Sequence, residues 1–191
     1  MGEPRRHHRY TYADYVGLES YSDVKHEFLD GEIYAMAGGS RDHAALAVAM
    51  SSALLNAVGG RPCTVQSSDL RIYVEAVRLA TFPDASVICE PMQLYELGPE
   101  ETALNPTILA EVTSKSSEEY DRAEKREHYR TIPSLREYII VSHRERRIEV
   151  DVRNTDGTWE THTATRGERF ELPSLQATIA VDDIYRNSTL P

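Results

Sequence analysis

The sequence lacks any stretch approaching the roughly 20 apolar residues that a membrane-crossing helix needs. Its longest apolar stretches, such as residues 44–50 and 138–141, are core-sized segments. No apolar run follows the basic residues Arg5, Arg6, His7, His8 and Arg9. A frayed basic arm over residues 1–9 is therefore expected there, not a secretory signal. Cysteine is scarce: Cys63 and Cys89 are the two present. Neither belongs to a CxxC pair or lies among clustered histidines, which argues against a zinc site. One disulfide is possible on paper. Without a signal, two buried thiols in a reducing compartment, and hence a cytoplasmic protein, are the expectation. Positive charge is in short supply too, the net charge being -10. That argues against a protein that simply coats DNA. It does not exclude a site that uses carboxylates to hold a divalent cation. Internal repeats and low-complexity tracts are absent.

What is there suits one globular domain. The chain has 191 residues, 40% hydrophobic and 27% charged, enough for a single real core. Thr11 is placed to cap a short helix over residues 12–20. Residues 25–36, KHEFLDGEIYAM, read as two extended pieces meeting at Asp30-Gly31, a turn pair because Gly tolerates positive φ. A long helix is expected over 41–58, with Ser40 or Asp42 as cap and Gly59-Gly60 as stop. Ala45, Val48, Ala49, Ser52, Leu55 and Ala57 would form its sheet-facing side.

Strands follow at 63–65 and 70–75. In the second, Leu70, Ile72 and Val74 alternate with Arg71, Tyr73 and Glu75, a half-buried pattern. Pro83-Asp84 leads into another strand. Residues 91–106 read as a loop with Glu90, Glu96, Glu100 and Glu101 in or beside it. The apolar strand at 107–112 carries Glu111 near its end and should be central in its sheet. A helix capped by Ser116 or Ser117 should run to about Arg130. Later strands are expected at 135–141, 147–152, 159–164, 170–172 and 178–181, with a hairpin turn at Asp156-Gly157. The order predicts an α/β or α+β fold, a mixed β-sheet flanked by helices with extra C-terminal strands.

Two carboxylates stand out. Asp84 opens a strand and Glu111 lies in a strongly apolar one. A buried carboxylate needs a positive partner or a metal. A hard cation such as Mg²⁺ takes oxygen ligands and keeps several waters, which leaves room for a phosphate oxygen and an attacking water. Asp121, Lys125 and Tyr129, spaced i, i+4, i+8, share one face of the helix that follows the Glu111 strand. Lys125 can therefore reach the acids and offset charge in a phosphoryl transition state.

The segments PDASVIC at 83–89, LAEVTS at 109–114, DRAEKREHY at 121–129 and HEFLDGEIYAMAGGSRDH at 26–43 together resemble the Uma-type "putative restriction endonuclease" family of the PD-(D/E)XK nuclease superfamily. The resemblance covers roughly residues 10–145. It implies a restriction-endonuclease-like fold in which Asp84 is the Asp of "PD" and Glu111 the second-strand acid. The superfamily usually carries its lysine two residues after that acid, where this chain has Thr113. The Uma-type pattern moves the lysine to the next helix, matching Lys125. The resemblance also makes Glu27 an additional acid beside the metal and His43 the family histidine.

Plainer roles exist for each residue. Asp84 could make a turn bond, and Glu111 could be half of a structural pair with Lys125, with Lys115 as the reserve lysine. Glu27 could join a surface cluster with Lys25 and Asp30. His43 could be a packing or capping residue, Asp121 a partner of Lys125 or Arg122, and Tyr129 a core contact. Arg144, Arg146 and Arg147 are the best basic patch. The expectation is a Mg²⁺-dependent (Mn²⁺ possible) endonuclease acting on DNA, plausibly a homodimer without membrane association. Asp84, Glu111 and Glu27 would be its metal ligands and Lys125 would assist the attacking water. Asp121, His43 and Tyr129 would support them. The alternatives are a binding module that keeps the fold without catalysis, and an RNA-directed nuclease.

Overall fold

The computed structural model describes residues 9–96 and 101–190. Residues 1–8 of the expected basic arm lie outside that range, as does Glu100 of the acidic loop. Arg9 is not frayed: it pairs with Asp30 at 3.1 Å, and the neighbouring Tyr10 N–H donates to the Gly31 carbonyl at 2.8 Å.

Thr11 opens α1 (Tyr12–Glu19) with a reciprocal cap, its hydroxyl accepting the Asp14 N–H while the Asp14 carboxylate accepts the Thr11 N–H. Tyr15 and Phe28 stack at 5.5 Å, tying α1 to β1 (His26–Leu29). β1 turns back into β2 (Glu32–Ala35) through Asp30 and Gly31, both at positive φ. Ser40 caps α2 (Arg41–Val58) by accepting the His43 N–H at 3.2 Å, and Gly59, at φ +56°, ends it.

The expected core face of α2 is wrong by a rotation. The buried stripe is Leu46, Met50, Leu54 and Val58, whereas Val48 and Leu55 are 70% and 64% exposed. Burying a large aliphatic or Met side chain is worth about 1.5–3 kcal/mol. A four-residue stripe of them therefore outweighs a face half of which is alanine.

The remaining elements are β3 (Cys63–Ser67), β4 (Arg71–Val74), β5 (Leu79–Thr81), β6 (Ala85–Cys89), β7 (Thr102–Ala103), β8 (Ile108–Val112), α3 (Glu118–Arg122), α4 (Glu124–Arg130), β9 (Glu137–Val141), β10 (Arg147–Arg153), β11 (Trp159–Thr165), β12 (Arg169–Leu172), β13 (Ala177–Ala180) and α5 (Val181–Ile184). The main sheet has six strands in the order β11-β10-β9-β8-β6-β3, mixed because β8 and β9 run parallel while its other neighbours are antiparallel. A five-stranded sheet has the order β2-β1-β5-β4-β7, and β12 pairs with β13. β8 is central, as its unbroken burial predicts.

One face of the main sheet offers Val87, Ile108, Ala110, Val112, Ile139 and Val141 to α2 and the C-terminal elements. The other offers Ile88, Leu109, Tyr138 and Ile140 to Tyr129 of α4 and to Ile72, Val74 and Leu79 of the smaller sheet. Glu111 shares the alternation of Leu109, so its carboxylate belongs to this second face.

Four further expectations need correction. β4 is buried along its whole length. Tyr73 packs on Tyr12 and Tyr95, and the Arg71 guanidinium lies 5.1 Å and 5.2 Å from the Tyr15 and Phe82 rings, so its polar-looking positions are covered as well. The acidic segment contributes β7, which runs parallel to β4. The helix after β8 breaks at Ala123, where φ is -117° and ψ -91°, giving α3 and α4; its first residues follow Ser117, whose hydroxyl accepts the Ser114 N–H instead. Finally, Cys63 and Cys89 are not free thiols. They face each other directly across β3 and β6, their Cα atoms 3.9 Å apart, and form a disulfide. Antiparallel register brings them together across 26 residues of sequence, which spacing alone does not reveal.

Candidate active site

Asp84 stands one residue before β6, and Ala85 pairs with Ala110 of β8. Asp84 is thereby set across from Glu111, and its Oδ2 accepts the Val112 N–H at 2.8 Å. This bond locks the entry of one strand to the exit of the next. His43, in the first turn of α2, brings Nε2 to 3.3 Å from the same Oδ2. That contact holds the imidazole pKa above its ordinary value, against the lowering effect of partial burial. A Cβ on Gly39 would come within 2.6 Å of His43 Nδ1, so the absence of a side chain at position 39 makes room for this ring.

Glu111 is 6% exposed and Lys125 5%. Lys125 Nζ lies 2.8 Å from Glu27 Oε1, 3.2 Å from Glu111 Oε1 and 3.5 Å from Asp121 Oδ1. Tyr129, one turn further along α4, donates its hydroxyl to Glu111 Oε1 at 2.7 Å. Thr81 donates its hydroxyl to Glu27 Oε1, and the Tyr120 ring centre lies 5.3 Å from the Lys125 ammonium. One ammonium is shared by three carboxylates, so the cluster has surplus negative charge.

The titration behaviour follows from that surplus. Burial, reinforced by the charges of Asp121 and Asp84 and opposed by Lys125, pushes the Glu111 carboxyl up to about 8. Burial likewise raises Asp121. Burial alone would lower Lys125, yet Glu111, Glu27 and Asp121 hold it well above its ordinary value, so it stays an ammonium. Burial and the neighbouring Glu111 charge keep the Tyr129 phenol protonated.

All seven residues singled out from the sequence have contacts within this constellation. Glu27 reaches it from β1, having no part in the pairs that Lys25 makes with Asp69 and Arg9 with Asp30. Tyr129 is both a core side chain and a partner of Glu111. Three contributors were missed. Thr81 and Tyr120 carried no signal, because the fold alone brings them to the acids. Gly39 lay inside a quoted motif, but its closeness to His43 needs coordinates. Thr113, at the usual lysine position, bonds His143 Nδ1 at 2.8 Å through its hydroxyl. The proposed basic patch is internally compensated: Arg144 pairs with Glu118, Arg146 with Asp182 and Arg147 with Glu149.

The donor chemistry can be tested against a divalent cation. Partners converge on one oxygen of each acid: Asp84 Oδ2, Glu111 Oε1 and Glu27 Oε1. Among the described residues the second oxygen of each has no hydrogen-bond partner. Free carboxylate oxygens beside surplus negative charge suit a hard cation. Among the described residues no three acid, His or Cys side chains already form a metal-ligand group. The fit is thus to a two-carboxylate site completed by water and substrate oxygens.

Residues 12–182 match the Uma2 family, described as "Putative restriction endonuclease". Two relatives come from Synechocystis sp. (strain ATCC 27184 / PCC 6803 / Kazusa). "Uncharacterized protein slr1290" is 36% identical over 173 residues, 91% of this chain and 90% of that protein. "Uncharacterized protein sll1609" is 32% identical over 162 residues, 85% of this chain and 90% of that one. The crystal structure of "a putative nuclease belonging to DUF820" from Anabaena variabilis ATCC 29413 superposes with a TM-score of 0.70 at 17% identity, covering 86% of this chain and 92% of that one. At that identity the likeness is one of fold.

Proposed function

We propose that this chain, which belongs to the Uma2 family, is a metal-dependent endonuclease that hydrolyses phosphodiester bonds in DNA. The observation that carries the reading is the side-by-side placement of Asp84 and Glu111 at the ends of adjacent strands, with Lys125 held against Glu111. Asp84 and Glu111 would hold the cation, Mg²⁺ or Mn²⁺. When bound, it supplies Lewis acidity, polarising the phosphate and lowering the pKa of water.

The chain's own residues do the rest. Lys125 contributes a fixed positive charge where negative charge grows in the transition state, and it orients the attacking water. Glu27 and Asp121 hold that ammonium in place, and Thr81 holds Glu27. Glu27, expected as a metal ligand, is assigned this supporting role because it makes the shortest contact to the ammonium, 2.8 Å against 3.2 Å for Glu111 and 3.5 Å for Asp121. Tyr129 fixes one oxygen of Glu111, and His43 and the Val112 N–H fix one oxygen of Asp84, which limits each acid to its second oxygen for a ligand.

The test is cleavage of supercoiled plasmid and of single-stranded and duplex DNA and RNA, with Mg²⁺ or Mn²⁺ and after chelation. Asp84→Asn and Glu111→Gln should each abolish metal-dependent cutting. Full cutting by either variant would defeat the reading. A second reading rests on another observation: Lys125 is already engaged by three acids at once. A lysine held that firmly by protein acids suits a binding module that keeps the fold without the chemistry. Failure of either cation to bind or to raise the melting temperature would favour it.

A further inference from the structure

We propose that Arg41 and Lys115 form a two-point clamp for the backbone phosphates of duplex DNA beside the candidate site. The inference rests on the endonuclease reading and adds where its substrate is held.

The Asp84–Glu111 region presents a problem to any polyanion. Glu27, Asp84, Glu111 and Asp121 face it with Lys125 and, when protonated, His43 as the cations in contact. The chain as a whole carries a net charge of -10. A DNA backbone approaching such a surface is repelled unless cations meet it at the rim. The arginines that looked most available from sequence, Arg144, Arg146 and Arg147, are paired with acids. So are Arg122, Arg126 and Arg130, which flank Lys125 on α3 and α4.

Arg41 and Lys115 differ. Both side chains are exposed, and among the described residues neither has a hydrogen bond, ion pair or ring contact. Both stand within a few residues of groups bonded to Asp84. Arg41 is the first residue of α2, two before the His43 that touches Asp84. Two residues span at most about 7 Å. Lys115 lies in the turn after β8, four residues beyond Glu111 and three beyond Val112, whose N–H is bonded to Asp84. Chain reach therefore keeps its Cα within about 14 Å of that of Glu111. Long, solvated, uncommitted cations close to a negative site can bind neighbouring phosphates without neutralising the site's own acids.

The experiment measures equilibrium binding of a fluorescent DNA duplex by full-length protein with Ca²⁺ in place of Mg²⁺, over a series of salt concentrations. Steady-state cleavage in Mg²⁺ is measured alongside. The double variant Arg41→Gln/Lys115→Gln should flatten the log–log salt dependence by about 2, because each phosphate contact contributes about 0.9 to the slope. Its KM should rise roughly tenfold or more, with kcat nearly unchanged. Arg166→Gln removes an equally exposed, uncommitted arginine in the turn between β11 and β12, and should leave slope and KM as they were. If wild type binds and cuts DNA but the double variant has the same slope and KM, the clamp is refuted and the nuclease reading stands. If Arg166→Gln weakens binding as much as the double variant, net charge is responsible and the clamp is likewise refuted. If wild type neither binds nor cuts DNA, both readings fail.

Discussion

His43 Nε2 lies 3.3 Å from Asp84 Oδ2, on the oxygen that also accepts the Val112 N–H. A helix start, a strand entry and a strand exit are thereby joined through one carboxylate. Residues that orient a ligating acid commonly matter 10–100-fold for metal affinity or activity. His43→Ala should fall in that range, with Asp84 still present. Gly39→Ala should reproduce part of the loss by pushing on the imidazole, whose Nδ1 a new Cβ would crowd at 2.6 Å. Isothermal titration with Mn²⁺ reads both variants, and wild-type affinity in His43→Ala would remove His43 from the site.

Lys125 is the one ammonium among three buried or partly buried acids. Lys125→Met leaves those acids uncompensated and should cost about 3–5 kcal/mol at pH 8.5. Glu111→Gln removes surplus negative charge and should cost much less, or stabilise. Urea denaturation of the metal-free protein compares them. Equal stability of Lys125→Met and wild type would show that the cluster is not held by this charge.

Glu111, pushed up to about 8 by burial, holds its proton more tightly in the fold than in the unfolded chain, where the ordinary value is 4.5. Between those values the folded state binds more protons, so stability falls as pH rises. This contribution is complete below about pH 4.5 and gone above about 8. The raised values of Asp121 and His43 act in the same direction. Without metal, the unfolding midpoint should decline from pH 6 to pH 9, and Glu111→Gln should flatten the decline. A wild-type midpoint that rises over this interval contradicts the assignment.

Cys63 and Cys89 join β3, an edge strand of the main sheet, to β6. Under non-reducing denaturation neither should react with a thiol reagent. For a loop of this length reduction should cost about 3–4 kcal/mol by the chain-entropy relation. Thiol titration and denaturant curves with and without reductant check the two parts. Two titratable thiols in the purified, unreduced protein would restore the sequence-based expectation.

Much of the architecture was legible because its signals are local. Thr11, Ser40, Gly59 and the Asp30-Gly31 and Asp156-Gly157 turns mark element ends through their own caps or dihedrals. The uninterrupted apolar run around Glu111 announced a central strand. The spacing of Asp121, Lys125 and Tyr129 also survived. The break at Ala123 falls between the first of them and the other two, yet all three remain buried on the acids' side. Less legible were the rotation of α2, the full burial of β4 and the pairing of the three arginines, since each depends on what another segment places opposite.

By itself the sequence determined which residues could do chemistry, because a carboxylate or ammonium in an apolar run is improvident unless something far away answers its charge. Only the tertiary structure decided who answers. It gave Glu27 and Asp121 to Lys125, His43 to Asp84, Tyr129 to Glu111 and Cys63 to Cys89. Apart from the i,i+4 pair of Asp121 and Lys125, these pairings are set by strand register and helix placement, which arise from the packing of the whole core and have no signature within any one stretch of chain.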